Sequence, residues 1–325
     1  MIRRSTALAF LLCMTAPTLA QDEAKPQGPT EPFLWKVEGQ GLEKPSFLFG
    51  TIHLPDDRVL ALPDVVDEAL EICDRFYTEI PMDMATQMGA MQHMQLPKGK
   101  TLKDMLPKEL YDRADAYMKS KGYQLAMFNR FKVWVVMSQM STLDYMRQMM
   151  MGKQALDAAL YSRQQKAGKT VGGIETIEEQ IGAFEAFTDE EQLELFAATM
   201  DGLEAAAESK DAATSTEALI SAYLSGDAEN LKQVMEASQE GQNEALTEKF
   251  EKNLLVDRNK RMAERMGAKL KEHAADSHFF AIGTAHYPGD EGLIKLLEDQ
   301  GYTVTRLSQA DAGHLMPEPA GAGAH

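Results

Sequence analysis

Gly50-Thr51-Ile52-His53-Leu54-Pro55-Asp56-Asp57 returns near the other end of the chain as Gly283-Thr284-Ala285-His286-Tyr287-Pro288-Gly289-Asp290. Both stretches read G-T-x-H-x-P-x-D. Each follows an apolar run, Phe47-Leu48-Phe49 or Phe279-Phe280-Ala281-Ile282, with the character of a buried strand. Each is followed by a helical pattern and a second strand, at residues 64–72 and 75–80 in the first copy and 291–300 and 302–307 in the second. The two copies predict an α/β fold: two strand–GTxH–helix–strand halves forming a central sheet region. A glycine at a strand end permits a tight turn or a close approach. The residues just beyond that end face the ligand crevice of an open α/β sheet. His53 and His286 would then be presented from equivalent strand ends and could build one site from two halves.

Working outward, further strands are predicted at 33–37, 46–50, 170–174 and 278–283. The interval from about 82 to 275 reads as a large, mostly helical insertion between the halves. A helix over 107–121 opens at Pro107 and stops at Gly122. Residues 123–151 form one long apolar-periodic stretch, and 153–167 end at Gly168. Thr188-Asp189-Glu190-Glu191 is a capping box that starts the next helix. Breaks are expected near Gly202, over 209–214 and at Gly226-Asp227. The layout is one domain over 33–310, with a flexible linker at 21–32 and a disordered Pro/Gly/Ala tail at 311–325.

Arg3 and Arg4, a short apolar stretch over 7–14 and Thr18-Leu19-Ala20 have the layout of a secretory signal peptide. Cleavage is expected after Ala20, with release to the periplasm or the exterior. The apolar stretch is too short to span a bilayer, and no stable membrane anchor is expected. Cleavage removes Cys13 and leaves Cys73 alone, so no internal disulfide can form. The formal charge of −17 argues against nucleic acid and anionic membranes as partners.

Imidazole coordinates zinc, manganese or cobalt, and two imidazoles plus a carboxylate leave positions open for water. Read singly, each GTxH copy also suits a core histidine in a structural turn. The recurrence of Gly, Thr, His, Pro and Asp together points to function. Glu79, at the end of the strand that follows the first copy, is the natural carboxylate partner. The second copy has Thr305-Arg306-Leu307 at the matching place. Glu175 in Gly172-Gly173-Ile174-Glu175-Thr176 also follows a strand, and Gln180 could face the same cleft. Arg258 and Asn259 interrupt an otherwise amphipathic helix. An arginine fork can hold a carboxylate or a developing oxyanion, although charged helical residues are more often solvated.

Fourteen of the 21 methionines fall between Met82 and Met151. They suit core filling, an adaptable groove for apolar peptides or soft coordination of Cu(I).

In order and combination, these motifs resemble the TraB/GumN family, which includes the TIKI metalloproteases. The resemblance runs over residues 33–308 and rests on GTIH, Glu79, Leu156-Asp157, Gly173-Ile174-Glu175-Thr176, Arg258-Asn259-Lys260-Arg261-Met262 and GTAH. Erythromycin esterases and the haem-binding ChaN proteins are similar more remotely. The resemblance implies that His53, His286 and Glu79 form the active site, served by a divalent ion such as Mn, Co or Zn. It also implies that Arg258 and Asn259 line the cleft. It carries over no substrate.

The resulting expectation is a secreted metal-dependent hydrolase, a peptidase acting on a peptide or protein. Glu175 is the expected general base or supporting partner, and Arg258 the oxyanion stabiliser. The alternatives are a metal-independent esterase-like hydrolase with a histidine base, and a non-catalytic extracytoplasmic haem-, metal- or peptide-binding protein.

Overall fold

The computed structural model describes residues 28–29, 31–208, 215–237 and 243–316. The leader pattern of residues 1–20 lies outside the described residues, as do the break at 209–214 and the tail beyond 316. Six strands form one sheet: β1 (Leu34–Glu38), β2 (Ser46–Thr51), β3 (Arg75–Thr78), β4 (Thr170–Gly173), β5 (His278–Gly283) and β6 (Thr303–Leu307), in the order β4-β3-β5-β2-β1-β6. All six lie within a residue or two of their predicted places. The α/β architecture is as expected.

β2 and β5, which lead into the two GTxH motifs, are buried at every position. They lie side by side and parallel, pairing Phe47 with Phe279 and Thr51 with Gly283. Strands buried on both faces read as continuous apolar runs rather than alternating ones. That accounts for Phe47-Leu48-Phe49 and Phe279-Phe280-Ala281-Ile282. β3 pairs with β5 and β4 with β3, both parallel. β1 runs antiparallel to β2 and β6. The decisive arrangement is that β5 inserts between β2 and β3. The strand that ends in Glu79 therefore lies against the second motif's strand. The matching strand of the second half, β6, lies at the far edge beside β1. There the Arg306 guanidinium sits over the Phe33 and Trp35 rings at 4.7 and 4.6 Å.

The helical interval departs from its sequence reading in two places. Residues 123–151 are a 3-10 turn (Leu125–Phe128) and two helices, Val133–Ser141 and Leu143–Met150. Periodicity could not see the break, because apolar residues continue across it. Conversely the helix Asp189–Glu208 runs through Gly202, a glycine being tolerated within a helix at modest cost. The supposed linker and tail are also partly docked. The Pro32 carbonyl accepts Arg306 Nε at 2.8 Å, and Leu315 is buried. Among the described residues no helix is long and apolar enough to cross a membrane.

The loop after His53 is fastened by ion pairs. Asp56 accepts the Arg58 backbone N–H at 2.9 Å, and Arg58 in turn grips Glu217 at 2.7 and 2.9 Å. Arg58 holds the Asp56 carboxyl down to about 2, and Arg265 does the same for Glu179, also to about 2. Carboxyls depressed in the folded state contribute stability above their ordinary pKa near 4, which is lost as pH falls through the folded value. The denaturant midpoint is expected to be level above about pH 5 and to fall between about pH 4 and pH 2. Arg58→Met should flatten part of that fall.

Candidate active site

His53 leaves β2 in a bend closed by the Leu54 N–H to the Ile52 carbonyl (2.9 Å). Its ring is 61% exposed, yet Nδ1 lies 2.7 Å from Asp157 Oδ2. Asp157 is buried in the first turn of the helix Leu156–Lys166, and its other oxygen accepts the Thr51 hydroxyl. One carboxylate thus holds both the threonine and the histidine of the first motif. Asp157 can only accept, so Nδ1 carries the proton and the neutral ring keeps its lone pair on Nε2. The Asp157 charge, against the opposing effect of burial, raises the imidazole pKa to about 9.

His286 ends the 3-10 turn Thr284–His286 and is buried. Its Nδ1 lies 2.6 Å from Asn259 Oδ1. The Asn259 amide is oriented by its own Nδ2, which donates to the Glu291 carbonyl at 2.8 Å. Oδ1 must therefore face the ring, making Nδ1 the donor and leaving the lone pair on Nε2. Burial lowers this imidazole to about 4, so it is neutral at physiological pH. The two motifs are also stitched directly, the Thr284 hydroxyl donating to the Thr51 carbonyl at 2.8 Å.

Glu79, just past β3, lies between them. Its Oε1 is 3.9 Å from His53 Nε2 and 3.8 Å from His286 Nε2. The same oxygen accepts the Gly283 N–H at 2.8 Å. Oε2 accepts from Arg258 Nη2 at 2.6 Å and Gln180 Nε2 at 2.9 Å. Burial opposes ionisation, but His286 and Arg258 more than offset it and hold the carboxyl well below its usual range. Gly283 is required here. A Cβ on it would lie 2.9 Å from Glu79 Oε1, 3.6 Å from His286 Cδ2 and 3.7 Å from His53 Nε2. The space that glycine leaves open is the space the three side chains share.

Arg258 and Asn259 open the helix Asp257–Glu272, directly after a π-helical turn at Lys252–Val256. The buried stripe of that helix is Arg258, Asn259, Met262, Ala263, Met266, Gly267 and Leu270. An apolar stripe at helical spacing therefore runs into the site and becomes polar there. Arg258 joins Glu79 to Glu175: its Nε and Nη2 reach Glu175 Oε2 at 2.9 and 2.7 Å. Arg261 Nη2 holds the other Glu175 oxygen at 2.7 Å. Both oxygens of Glu175 are thus taken by arginines, one layer behind Glu79.

The fold brings His53, Glu79, His286, Arg258 and Asn259 into one cluster, with Glu175 behind it. Sequence reasoning placed Gln180 at the cleft and counted Leu156-Asp157 among the motifs, but assigned no role to Asp157 or Thr51. For Asp157 the signal was present, since it shares a buried helical face with Leu156, Leu160, Tyr161 and Gln164. Among the described residues no three His, Cys, Asp or Glu side chains already close into a metal shell. The His53–Glu79–His286 group is open, at the separations given. Replacing Asp157 by asparagine keeps its shape but removes its charge. It is expected to lower the His53 pKa from about 9, as measured by NMR titration of the imidazole, because the Asp157 charge is the main cause of its elevation.

A sheet that converges two histidines and a buried glutamate from three strand ends defines a class of α/β protein with one site divided between two half-repeats. The chain belongs to the TraB/PrgY/gumN family, whose model matches residues 33–306. Metalloprotease TIKI2 of Xenopus tropicalis is 28% identical over 92% of this chain and 67% of its own length. Metalloprotease TIKI1 of Danio rerio is 26% identical over 86% of this chain and 64% of its own length. Metalloprotease TIKI1 of Homo sapiens is 27% identical, over 89% and 65% respectively. The chain thus spans about two thirds of the length of these relatives. No solved structure matches it.

Proposed function

We propose that the chain is a metal-dependent hydrolase of peptide bonds, its divalent ion held by His53 Nε2, Glu79 Oε1 and His286 Nε2. One observation carries this reading. Both imidazoles have Nδ1 engaged by a fixed acceptor, so both Nε2 atoms, the ones a metal would displace protons from or bind, face one carboxylate oxygen across the gap that Gly283 leaves. Two imidazoles and a carboxylate suit Mn, Co or Zn. The 3.8 and 3.9 Å separations are within about half an ångström of the ~3.4 Å between neighbouring tetrahedral ligands. The metalloprotease relatives support the same reading.

Lewis acidity is what such an ion supplies, polarising a carbonyl and lowering the pKa of water. The chain's own groups do the positioning. Asp157 and Asn259 fix the two ring tautomers. Arg258, Gln180 and the Gly283 N–H fix both oxygens of Glu79. Glu175 fits the task of holding Arg258 better than that of a general base, since arginines occupy both its oxygens. Arg258 has Nε and Nη2 committed to carboxylates, which fits orienting Glu79 better than reaching an oxyanion. The leader-like residues 1–20 support action outside the cytoplasm on a peptide or protein.

The test is to strip the full chain of metal and assay cleavage of a peptide library with and without Mn²⁺, Co²⁺ or Zn²⁺. Metal-restored cleavage is expected. No restoration, or full activity in His53→Ala, would remove the reading. The exposed His53–Asp157 pair favours one rival, an imidazole base acting without metal. That activity would survive chelation and rise with pH towards about 9, because His53 must first lose its proton.

A further inference from the structure

The large apolar side chains left exposed among the described residues are all methionines. Among the described residues the leucines, phenylalanines and isoleucines are buried or half-buried, and the most exposed large apolar groups are thioethers. A failure to complete the core would not discriminate in that way. Two clusters stand out. Met84, Met88 and Met91, at 77, 64 and 48% exposure, fall within about 60° of arc on the helix Met84–Met94. That arc points away from Ala90, which packs against Trp134, Ile177 and Ile181. Met149, Met150 and Met151, at 41, 69 and 80% exposure, close the helix Leu143–Met150.

Both clusters are tethered to the composite site. The first helix begins five residues after Glu79, and Met82 between them packs on the main core. The second helix is bonded through the Tyr145 hydroxyl to Asp56 at 2.8 Å. Just beyond it, Lys153 pairs with Asp57 at 2.7 Å. Asp56 and Asp57 belong to the loop that presents the exposed edge of His53. One methionine-bearing helix therefore follows the strand end of Glu79 along the chain, and the other is bonded to the segment that follows His53.

We infer that these methionines form the substrate rim of the site, binding an extended polypeptide through apolar side chains that flank the scissile bond. The inference rests on the peptidase reading above. Continuity with the site names the occupant, and chemistry narrows it. Methionine is unbranched, polarizable and adaptable, and so suits varied apolar partners. Exposed apolar surface is unfavourable in water and recovers free energy when covered. The net charge of −17 disfavours anionic segments. The rim thus selects apolar, non-acidic stretches of unfolded or extended chain.

The test uses the full chain carrying His53→Ala, with and without Met84→Gln, Met88→Gln, Met150→Gln and Met151→Gln. These are surface positions, so the variants should fold. Fluorescence anisotropy is read with a Leu/Phe-rich labelled peptide and a Glu/Ser-rich one of equal length. The apolar peptide is expected to bind at least about tenfold tighter, and to lose about tenfold with the four glutamines. On the cleaving chain the same four changes should raise KM with little effect on kcat. Unchanged apolar binding in the glutamine variant overturns the rim, as does equal binding of the acidic peptide. Uptake of Cu⁺ or Ag⁺ by the methionines without peptide binding overturns it too. Methionine-dependent binding with no cleavage by the unmutated site supports the rim and removes the hydrolase reading instead.

Discussion

His286→Ala is expected to lower kcat/KM for peptide cleavage by at least about 10³-fold, and to take bound metal from about one equivalent to none. The ring supplies one of two Nε2 donors facing Glu79 Oε1, at 3.8 Å. Losing about 4 kcal/mol of charge stabilisation in the transition state corresponds to that factor. Because His286 is buried, the variant also strands Asn259 Oδ1, at a cost to folding of about 1–3 kcal/mol. His53→Ala should match the loss of metal with a smaller change in stability, since its ring is largely exposed. Metal analysis and denaturant titration of the two proteins give the comparison. If either variant kept its equivalent of metal, the histidines would not share one site.

Arg258→Met should be among the most destabilising single changes in the protein, by about 3–5 kcal/mol. The guanidinium is buried and bonds two buried carboxylates, Glu79 at 2.6 Å and Glu175 at 2.7 Å. Its removal leaves Glu79 with Gln180 and the Gly283 N–H, and Glu175 with Arg261 alone. The cost comes from those uncompensated charges rather than from lost packing, methionine being similar in reach. Adding Glu175→Gln to the variant should therefore recover part of the loss. Chemical denaturation of the single and double variants reads this directly. A loss below about 1 kcal/mol, the worth of a surface pair, would mean the network is solvated.

Much of this was legible in the chain. The central strands β2 and β5 could be read because a strand buried on both faces is an unbroken apolar run with punctuation at its ends. The two histidines and Glu79 could be placed because strand ends are where such sheets bind ligands. What could not be read was neighbourhood. Nothing local says that β5 inserts between β2 and β3, and that insertion alone decides that Glu79 meets His286 as well as His53. Glu175 shows the same limit. Its position after a strand suggested chemistry, but its role depends on Arg258 and Arg261, more than eighty residues away. Asp157 and Asn259 were partly visible as polar members of buried helical stripes. Which ring each would hold depended on the fold.

The insertion of β5 also has a consequence for synthesis. A chain emerging from its N-terminus presents His53, Asp157, Glu79 and Arg258 before the sheet has its central strand. β2 and β3 then have no partner strand between them. The cluster is complete only after residue 286 arrives, when about seven-eighths of the polypeptide has already been made. Premature or truncated chains therefore lack the complete His53–Glu79–His286 cluster.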